Sequence, residues 1–207
     1  MAHLKELTSL NSGIGFWLQW MCVTICGFLL SLYWIEVGFR PDIRWFQGVM
    51  GGLIIGTAQW LVLRQRLPQA VWWIAATTLA WGLIGYSKLG ALGWVVPQEM
   101  YSVTLRSLYG GLDGLKVGAI LGAIQWFALR RHVSNSAWWI AVSAIAWALG
   151  LAIGWSSGAI LRLKTGIFLG EVGGLGLGWG AIAAITGICL IPLLSLYPPK
   201  SLKTGGL

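Results

Sequence analysis

Charged side chains are scarce in this sequence. Only 10% of its 207 residues are Asp, Glu, Lys or Arg, and six of them are acids, whereas a soluble globular domain has roughly a quarter charged residues. So few charges cannot cover the surface of a soluble protein of this size. Hydrophobic residues make up 57% of the chain, and its mean hydropathy is +0.76. We therefore expect an integral membrane protein.

The residue types that most enzymes need are also scarce. The two histidines, His3 and His132, lie in segments that we predict to be terminal or loop, without other ligands nearby, so the sequence predicts no metal site. The three cysteines, Cys22, Cys26 and Cys189, lie inside apolar runs, where such residues usually pack as small hydrophobic groups. No two acids share an apolar run. The sequence thus predicts no catalytic residue and no enzymatic activity.

Six apolar segments are long enough to cross a bilayer, which takes about 20 residues. The predicted spans are 14–35, 45–64, 71–90, 112–130, 137–155 and 174–197. An even number of spans places both termini on the same side. We expect longer loops from Tyr86 to Gly111 and from Ser156 to Gly173, and loops of that length are often functional. They contain Pro97, Glu99, Arg106, Arg162 and Lys164.

An internal repeat is the most informative pattern in the sequence. When the chain is compared with itself at an offset of 66 residues, thirteen of the thirty positions from Gly52 to Trp81 are identical to their partners. The matching register includes Trp72-Trp73-Ile74-Ala75 over Trp138-Trp139-Ile140-Ala141. Shared apolar composition does not produce such a match, so the pattern indicates a duplication.

Fainter copies of the repeat lie at both ends of the chain. Phe16-Trp17-Leu18 with Gly27 matches Trp72 followed by Gly82, and Gly180 to Gly187 keeps the small-residue spacing without the Gln, Trp or Arg. We therefore predict an all-α integral membrane protein of six transmembrane helices. They would form one domain of residues 1–207 with three tandem two-helix repeats around a pseudo-axis along the membrane normal. The predicted helix pairs are 14–64, 71–130 and 137–197.

The repeated Gly-x-x-x-Gly-x-x-Gln element has a spacing that places all three side chains on one helix stripe. In hydrocarbon the amide needs a partner on a neighbouring helix, so we interpret the element first as interhelical packing. The alternative is a polar site on the pseudo-axis for a solute, a lipid head group or the metal of a pigment. The candidate residues are Gly52, Gly56, Gln59, Gly118, Gly122 and Gln125.

The fourteen Lys and Arg residues give a net charge of +8 and lie mainly at the ends of apolar runs. This placement indicates contacts with anionic lipid head groups and excludes a nucleic-acid surface. Their clustering in the short connections predicts that both termini are cytoplasmic. Tryptophans beside these bases predict an aromatic belt, on which a carotenoid or chlorin could also stack. The predicted lipid-interface residues are Trp60, Arg64, Trp72, Trp73, Trp126, Arg130, Arg131, Trp138 and Trp139.

The element Gly-x-x-x-Gly-x-x-Gln-Trp-x-x-Leu-Arg followed by Trp-Trp-Ile-Ala resembles a group of repeat-built, multi-span membrane proteins common in cyanobacteria. The resemblance extends from about Phe16 to Leu194. That group has no established activity, so the resemblance implies an architecture and a host type and assigns no site residue. It implies a photosynthetic setting, in the thylakoid or plasma membrane.

These patterns predict a non-enzymatic accessory or scaffold subunit of a photosynthetic membrane complex. Small-residue and Trp surfaces would bind lipid, chlorophyll or carotenoid along the helices, and the partners would be membrane lipids and other membrane subunits. The alternative is a small-solute transporter or channel with a site near Gln59 and Gln125. No ionisable residue lies near the centre of a predicted span, although coupled transporters commonly need one there.

Overall fold

Six α-helices make up most of the described chain. The structure is a computed structural model that describes residues 2–35, 43–87, 102–133 and 135–195, and these ranges contain no β-strand. The helices are α1 (Ala2–Ser31), α2 (Trp45–Leu63), α3 (Val71–Ser87), α4 (Val103–Leu129), α5 (Trp138–Thr165) and α6 (Leu169–Ser195). The predicted all-helical class is confirmed.

Five of the helices are long and apolar enough to cross a membrane. The apolar segments are Gly13–Ser31, Trp45–Leu63, Val103–Leu129, Trp138–Thr165 and Leu169–Leu194. Helix α3 has 17 described residues, fewer than the roughly 20 that a span needs. The following residues, 88–101, lie outside the described part of the chain. The number of six spans therefore stays a prediction.

Several helices extend beyond the predicted apolar segments. Helix α1 begins at Ala2 where the prediction began at 14, α4 begins at Val103 where it began at 112, and α5 ends at Thr165 where it ended at 155. The polar and glycine-rich flanks lower the local hydropathy, but they do not stop the backbone from continuing its helical hydrogen bonds. By contrast, α2 agrees with its predicted segment to within one residue.

The predicted loop from Ser156 to Gly173 is largely wrong, and the predicted loop from Tyr86 to Gly111 is wrong at its described residues, which are helical except for Ser102. Residues 103–111 belong to α4, and residues 156–165 and 169–173 belong to α5 and α6. Residues 88–101, which include Pro97 and Glu99, lie outside the described residues. Arg106 and Arg162 lie within α4 and α5, and Glu171 of α6 pairs with both of them. Charge thus marks an interhelical contact here and not a loop.

The helices form a closed ring. Each helix packs against its neighbours in chain order, and α1 also packs against α6. The contact between α4 and α5 is the most extensive, and the contact between α3 and α4 is the least extensive of the six. Helix α3 therefore has less support on its α4 side than on its α2 side.

Glycines bring the backbones of α2 and α3, and of α4 and α5, into direct contact. A methyl group on Gly52 would lie 2.8 Å from the carbonyl oxygen of Thr77, and one on Gly118 would overlap the carbonyl oxygen of Ser143. These two glycines and these two hydroxyl residues are each 66 positions apart. The duplicated sequence therefore makes the same backbone contact twice.

Helices α5 and α6 meet glycine to glycine. A methyl group on Gly178 would lie 2.5 Å from the carbonyl oxygen of Gly150, and one on Gly174 would lie 2.5 Å from that of Gly154. Gly180, which the sequence comparison placed on the contact stripe of the last helix, faces no atom within 4 Å. The face of α6 that meets α5 therefore lies on the preceding glycines. The predicted contact role is wrong for Gly180, whereas Gly187 of the same faint repeat lies against Trp17 and Trp20 of α1.

The connections after α2 and α4 share an uncommon backbone conformation at one matching position. Gln69 and Asn135, 66 positions apart, have φ angles of 57° and 59°, a left-handed conformation that is uncommon for residues other than glycine. Buried Leu67 and Val133 also occupy matching positions in the two turns. The repeat therefore includes the turn as well as the helices.

Candidate functional site

Gln59 holds three helices together in the interior of the ring. Its side-chain oxygen accepts a hydrogen bond of 2.9 Å from the indole Nε1 of Trp73 on α3. Its side-chain nitrogen donates to the hydroxyl of Thr24 on α1 at 3.3 Å. All three residues are buried. Both ends of the amide are paired, which an apolar environment requires.

Gln125 repeats this arrangement one unit further along the chain. Its oxygen accepts a hydrogen bond of 3.0 Å from Nε1 of Trp139 on α5, and its nitrogen donates to the hydroxyl of Thr77 on α3 at 3.0 Å. Both glutamines thus link a tryptophan on one side to a threonine on the other. The two amides do not bond to each other but act in sequence around the ring.

A third tryptophan joins α1 to α6. Nε1 of Trp20 donates to the hydroxyl of Thr186 at 3.0 Å, and that hydroxyl donates to the carbonyl oxygen of Ile182 at 2.6 Å. Thr186 therefore accepts from a tryptophan as the two glutamines do. In the spacing of the faint repeat, the residue that corresponds to the two glutamines is Gly187, one residue after Thr186. We call the whole set the polar belt: Trp20, Thr24, Gln59, Trp73, Thr77, Gln125, Trp139 and Thr186.

The polar belt is open between α5 and α6. Ser143, 66 positions from Thr77, is buried at the corresponding place on α5. Among the described residues, no hydrogen-bond partner of Ser143 is found, whereas Thr77 accepts from Gln125. The opening arises because Thr186 has one hydroxyl and no amide to reach a second helix.

The polar belt surrounds a small cavity on the axis of the ring. The cavity has a volume of about 20 Å³, and both glutamines, Thr24, Thr77, Ser143 and Thr186 line it. A buried water needs about 10–15 Å³ and two to four polar partners. The cavity therefore has room for a water molecule and none for a larger solute.

Aromatic side chains close the axis on both sides of this cavity. Trp73 lies 5.6 Å from Trp139, centroid to centroid. About two helical turns away, Trp147 lies 5.4 Å from Trp81 and 4.9 Å from Trp179. All five rings are buried. The described interior therefore contains no continuous pathway along the axis.

A simple sequence signal could have identified this interior. Helices α1, α3 and α5 each carry an aromatic residue, then a hydroxyl residue four positions on, then a second aromatic residue four positions further. The three sets are Trp20-Thr24-Phe28, Trp73-Thr77-Trp81 and Trp139-Ser143-Trp147. The i, i+4, i+8 spacing places each set on one helix face. A search for identical residues at an offset of 66 does not reveal this pattern. Ser143 takes the place of Thr77 in the third set, and the first set lies at a different offset from the second.

Trp73 and Trp139 are not at the lipid interface, and their predicted role is wrong. Trp73 is 1% exposed and Trp139 is 2% exposed, while the preceding residues Trp72 and Trp138 are 54% and 70% exposed. Adjacent residues on a helix point about 100° apart, so only one member of each Trp-Trp pair can face lipid. The indole that faces inward donates to a glutamine.

The other predicted interface residues lie at the end of the ring that carries the α2–α3 and α4–α5 turns. The Arg64 guanidinium lies 4.8 Å from the Trp60 ring centroid, and that of Arg130 lies 5.2 Å from the Trp126 centroid and 4.5 Å from Phe127. Arg64, Arg130 and Arg131 are exposed, and Trp60 and Trp126 are half-buried. Such stacking holds a guanidinium beside an apolar surface.

A buried ion pair lies near the opposite end of the ring. Arg106 of α4 donates to both carboxylate oxygens of Glu171 of α6, at 2.8 and 2.9 Å, and Arg162 of α5 lies 3.5 Å from the same carboxylate. The Arg106 side chain is 4% exposed and that of Glu171 is 0% exposed. Sequence analysis missed this cluster because it placed both arginines in loops.

Two apolar grooves lie on the outer surface, one on each side of α3. The α2–α3 groove has a volume of about 680 Å³, and its lining includes Trp45, Val49, Leu53, Thr78, Leu83 and Tyr86. The α3–α4 groove has a volume of about 400 Å³. Its lining includes Trp72, Leu79, Phe127 and Ala128, with Arg130 and Arg131 at one end. Both volumes lie in the range of about 300–1,000 Å³ that is typical of ligand sites.

One polar atom in the α2–α3 groove lacks a partner. The hydroxyl of Thr78 is buried and has no hydrogen-bond partner among the described residues. A ligand with a polar group could satisfy it.

The described residues contain no cluster of three His, Cys, Asp or Glu side chains that could hold a metal ion. No family model, curated protein or solved structure matches this chain.

Proposed function

We propose that the chain has six membrane spans in three tandem two-helix units, arranged about a pseudo-axis along the membrane normal, with both termini cytoplasmic. The polar belt supports this arrangement, because three tryptophans on α1, α3 and α5 each donate to a polar residue on α6, α2 and α4. The matching turns after α2 and α4 support it independently. The clustering of Arg64, Arg66, Arg130 and Arg131 at that end supports the orientation.

We further propose that the protein is a non-enzymatic accessory or scaffold subunit of a membrane complex, and that it binds lipid or pigment along its helices. One observation carries this proposal: the interior is filled with packed indoles, three of which donate hydrogen bonds within the polar belt, while both faces of α3 border open apolar grooves. Ligand sites in proteins are concave and mainly apolar with few polar groups. The two grooves beside α3 meet that description, and the small polar cavity on the axis of the ring does not.

The setting that we propose is a photosynthetic complex in a cyanobacterial thylakoid or plasma membrane. The repeated Gln-Trp and Trp-Trp-Ile-Ala elements support it through their resemblance to repeat-built proteins of that host type. The apolar lining of the grooves suits a chlorophyll, carotenoid or lipid, and the unpaired Thr78 hydroxyl in the α2–α3 groove suits a ligand that carries a polar group.

Extraction from native membranes in a mild detergent tests the accessory role. We expect the protein to migrate with a companion subunit and to carry lipid or pigment, seen as extractable lipid or visible absorbance. A protein that migrates alone and carries neither would contradict the proposal. The same extraction repeated in a harsh detergent, which should strip both, controls for chance association.

A small-solute channel or transporter is the second candidate, and the polar cavity at Gln59 and Gln125 favours it. Conduction would require the indoles that close the axis to move apart. A flux assay in liposomes distinguishes the two functions. The accessory role predicts no flux for the native protein, whereas a transporter would give flux that Gln59→Leu or Gln125→Leu abolishes.

A further inference from the structure

The α3–α4 groove combines an apolar wall with a cationic end. Leu79 and Leu83 of α3 face Ile124 and Phe127 of α4 along its length. Arg130 and Arg131, at the end of α4, close it on the side of the α2–α3 and α4–α5 turns. An apolar trough that ends in guanidinium groups matches an amphiphile with an anionic head.

The length of the groove fits one leaflet of a bilayer. From Trp72 to Leu83 the lining of α3 extends over eleven residue-to-residue steps, which corresponds to about 16 Å at a helical rise of 1.5 Å per residue. Half of a bilayer's hydrocarbon core is about 15 Å thick. An acyl chain of a membrane lipid lying along α3 would therefore reach from the arginines to about the membrane midplane.

Among the residues whose side chains are described, no acid lies near the charge at this end of the groove. The carboxylates whose side chains are described, Asp113 and Glu171, pair with Lys116 and Arg106 near the opposite end of the ring. Asp113 lies 17 residues before Arg130 on the same helix, which corresponds to about 25 Å. An incoming phosphate would therefore meet no repulsion from these acids.

The Arg130 side chain is already positioned for such a contact. Its guanidinium lies over the rings of Trp126 and Phe127 at 5.2 and 4.5 Å. Stacking on rings leaves the edge of a guanidinium, with its N–H donors, available for phosphate oxygens. Little side-chain freedom is then left to lose on binding.

We propose that the α3–α4 groove binds a phospholipid with an anionic head group, its phosphate on Arg130 and Arg131 and one acyl chain between Leu79 and Ile124. This inference rests on the proposed function and assigns one ligand and one site to it. Helix α3 has its least extensive helix contact on this side, so the lipid would act as packing material between α3 and α4.

Native mass spectrometry of the full chain, released from nanodiscs of equal parts phosphatidylglycerol and phosphatidylcholine, tests the proposal. We expect the native chain to retain phosphatidylglycerol preferentially. The double variant Arg130→Gln, Arg131→Gln should reduce that preference by about fivefold for each arginine. Arg64→Gln is the matched control, because Arg64 stacks on Trp60 as Arg130 stacks on Trp126 but does not line the groove. As an interface arginine outside the groove, it should lower the preference far less than the double variant does.

Filling the groove gives a second readout that is independent of charge. Ala128→Trp should remove the retained lipid, whereas Ala141→Trp, at an exposed position of α5 outside the groove, should not. Equal effects of Arg64→Gln and the double variant, or retention of neutral lipid regardless of the arginines, would overturn the anionic site and leave the general lipid-binding proposal standing. A native chain that retains no lipid would overturn both.

Discussion

Each glutamine of the polar belt satisfies two partners that would otherwise be buried without a hydrogen bond. Removing Gln125 leaves the Trp139 indole without its acceptor and Thr77 without its donor. An unsatisfied buried polar group costs about 1–3 kcal/mol, although hydrogen bonds between membrane helices average less than that. The primary role of the polar belt is therefore to stabilise the packing of the helices.

We expect Gln125→Leu to lower the free energy of unfolding by about 1–2 kcal/mol. Reversible denaturation of the purified chain in mixed micelles measures it. Gln65→Leu is the matched control, because Gln65 is exposed and its side chain bonds only to the Leu61 carbonyl at 3.4 Å. Equal losses in the two variants would contradict the structural role of the belt.

The buried pair of Arg106 and Glu171 gives a second prediction at the level of single residues. Glu171→Leu leaves a buried guanidinium without its main partner and should cost about 3–5 kcal/mol, while Arg106→Met combined with Glu171→Leu should restore most of that loss. The control is Asp113→Asn, whose partner Lys116 has a side chain that is 57% exposed, so its loss should stay below about 1 kcal/mol. A double variant no more stable than Glu171→Leu would contradict this account.

Sequence could not show which tryptophan of each Trp-Trp pair faces inward. Trp72 and Trp73 have the same chemistry and the same distance to the bases, and only the packing of the ring decides that Trp73 meets Gln59. The Gly-Gln stripe was readable from spacing, because i, i+4 and i+7 share a face whatever the fold. The acceptor role of Thr186 was not predictable, since this segment keeps only the small-residue spacing of the motif and has a threonine and no glutamine at that point.

At the scale of whole helices, glycines determine how closely the elements approach. Gly118 of α4 lies against the backbone of α5, and Gly180 of α6 faces open space. We expect Gly118→Ala to destabilise the fold by about 1–3 kcal/mol, because the added methyl overlaps the Ser143 carbonyl. Gly180→Ala should be neutral or stabilise by up to about 1 kcal/mol through helix propensity.

Thermal unfolding of both glycine variants in the same detergent measures the difference. If Gly118→Ala and Gly180→Ala destabilise the protein equally, Gly118 acts through the backbone freedom of glycine alone. That result would contradict the close contact between α4 and α5.

Hydropathy located the helices but not their ends. Helix α2 has no charged residue and was predicted to within one residue, whereas α4 and α5 extend through glycines and arginines that resemble loop residues. Their extensions depend on partners from distant parts of the sequence, such as Glu171 for Arg106, 65 positions away. Local composition carries no information about such a partner.

At the scale of the molecule, the ring encloses the polar belt and the indoles packed around it, and it presents mainly apolar side chains outside. The 66-residue repeat made the two central units readable from sequence, and the closure of α1 on α6 was not, because the outer units have diverged in different registers. The consequence for function is a separation of roles. The interior holds the ring together, and the grooves beside α3 are the places where the protein can bind something else.

The central claim is that the ligand lies in the outer grooves and not on the axis. Native mass spectrometry of the chain purified from its own membranes tests it with three proteins: the native chain, the groove-filled double variant Leu53→Trp, Ala128→Trp, and the axis variant Gln125→Leu. We predict that the native chain and Gln125→Leu retain bound lipid or pigment and that the groove-filled variant loses it. Loss of the ligand from Gln125→Leu, with retention in a folded groove-filled variant, would contradict the account.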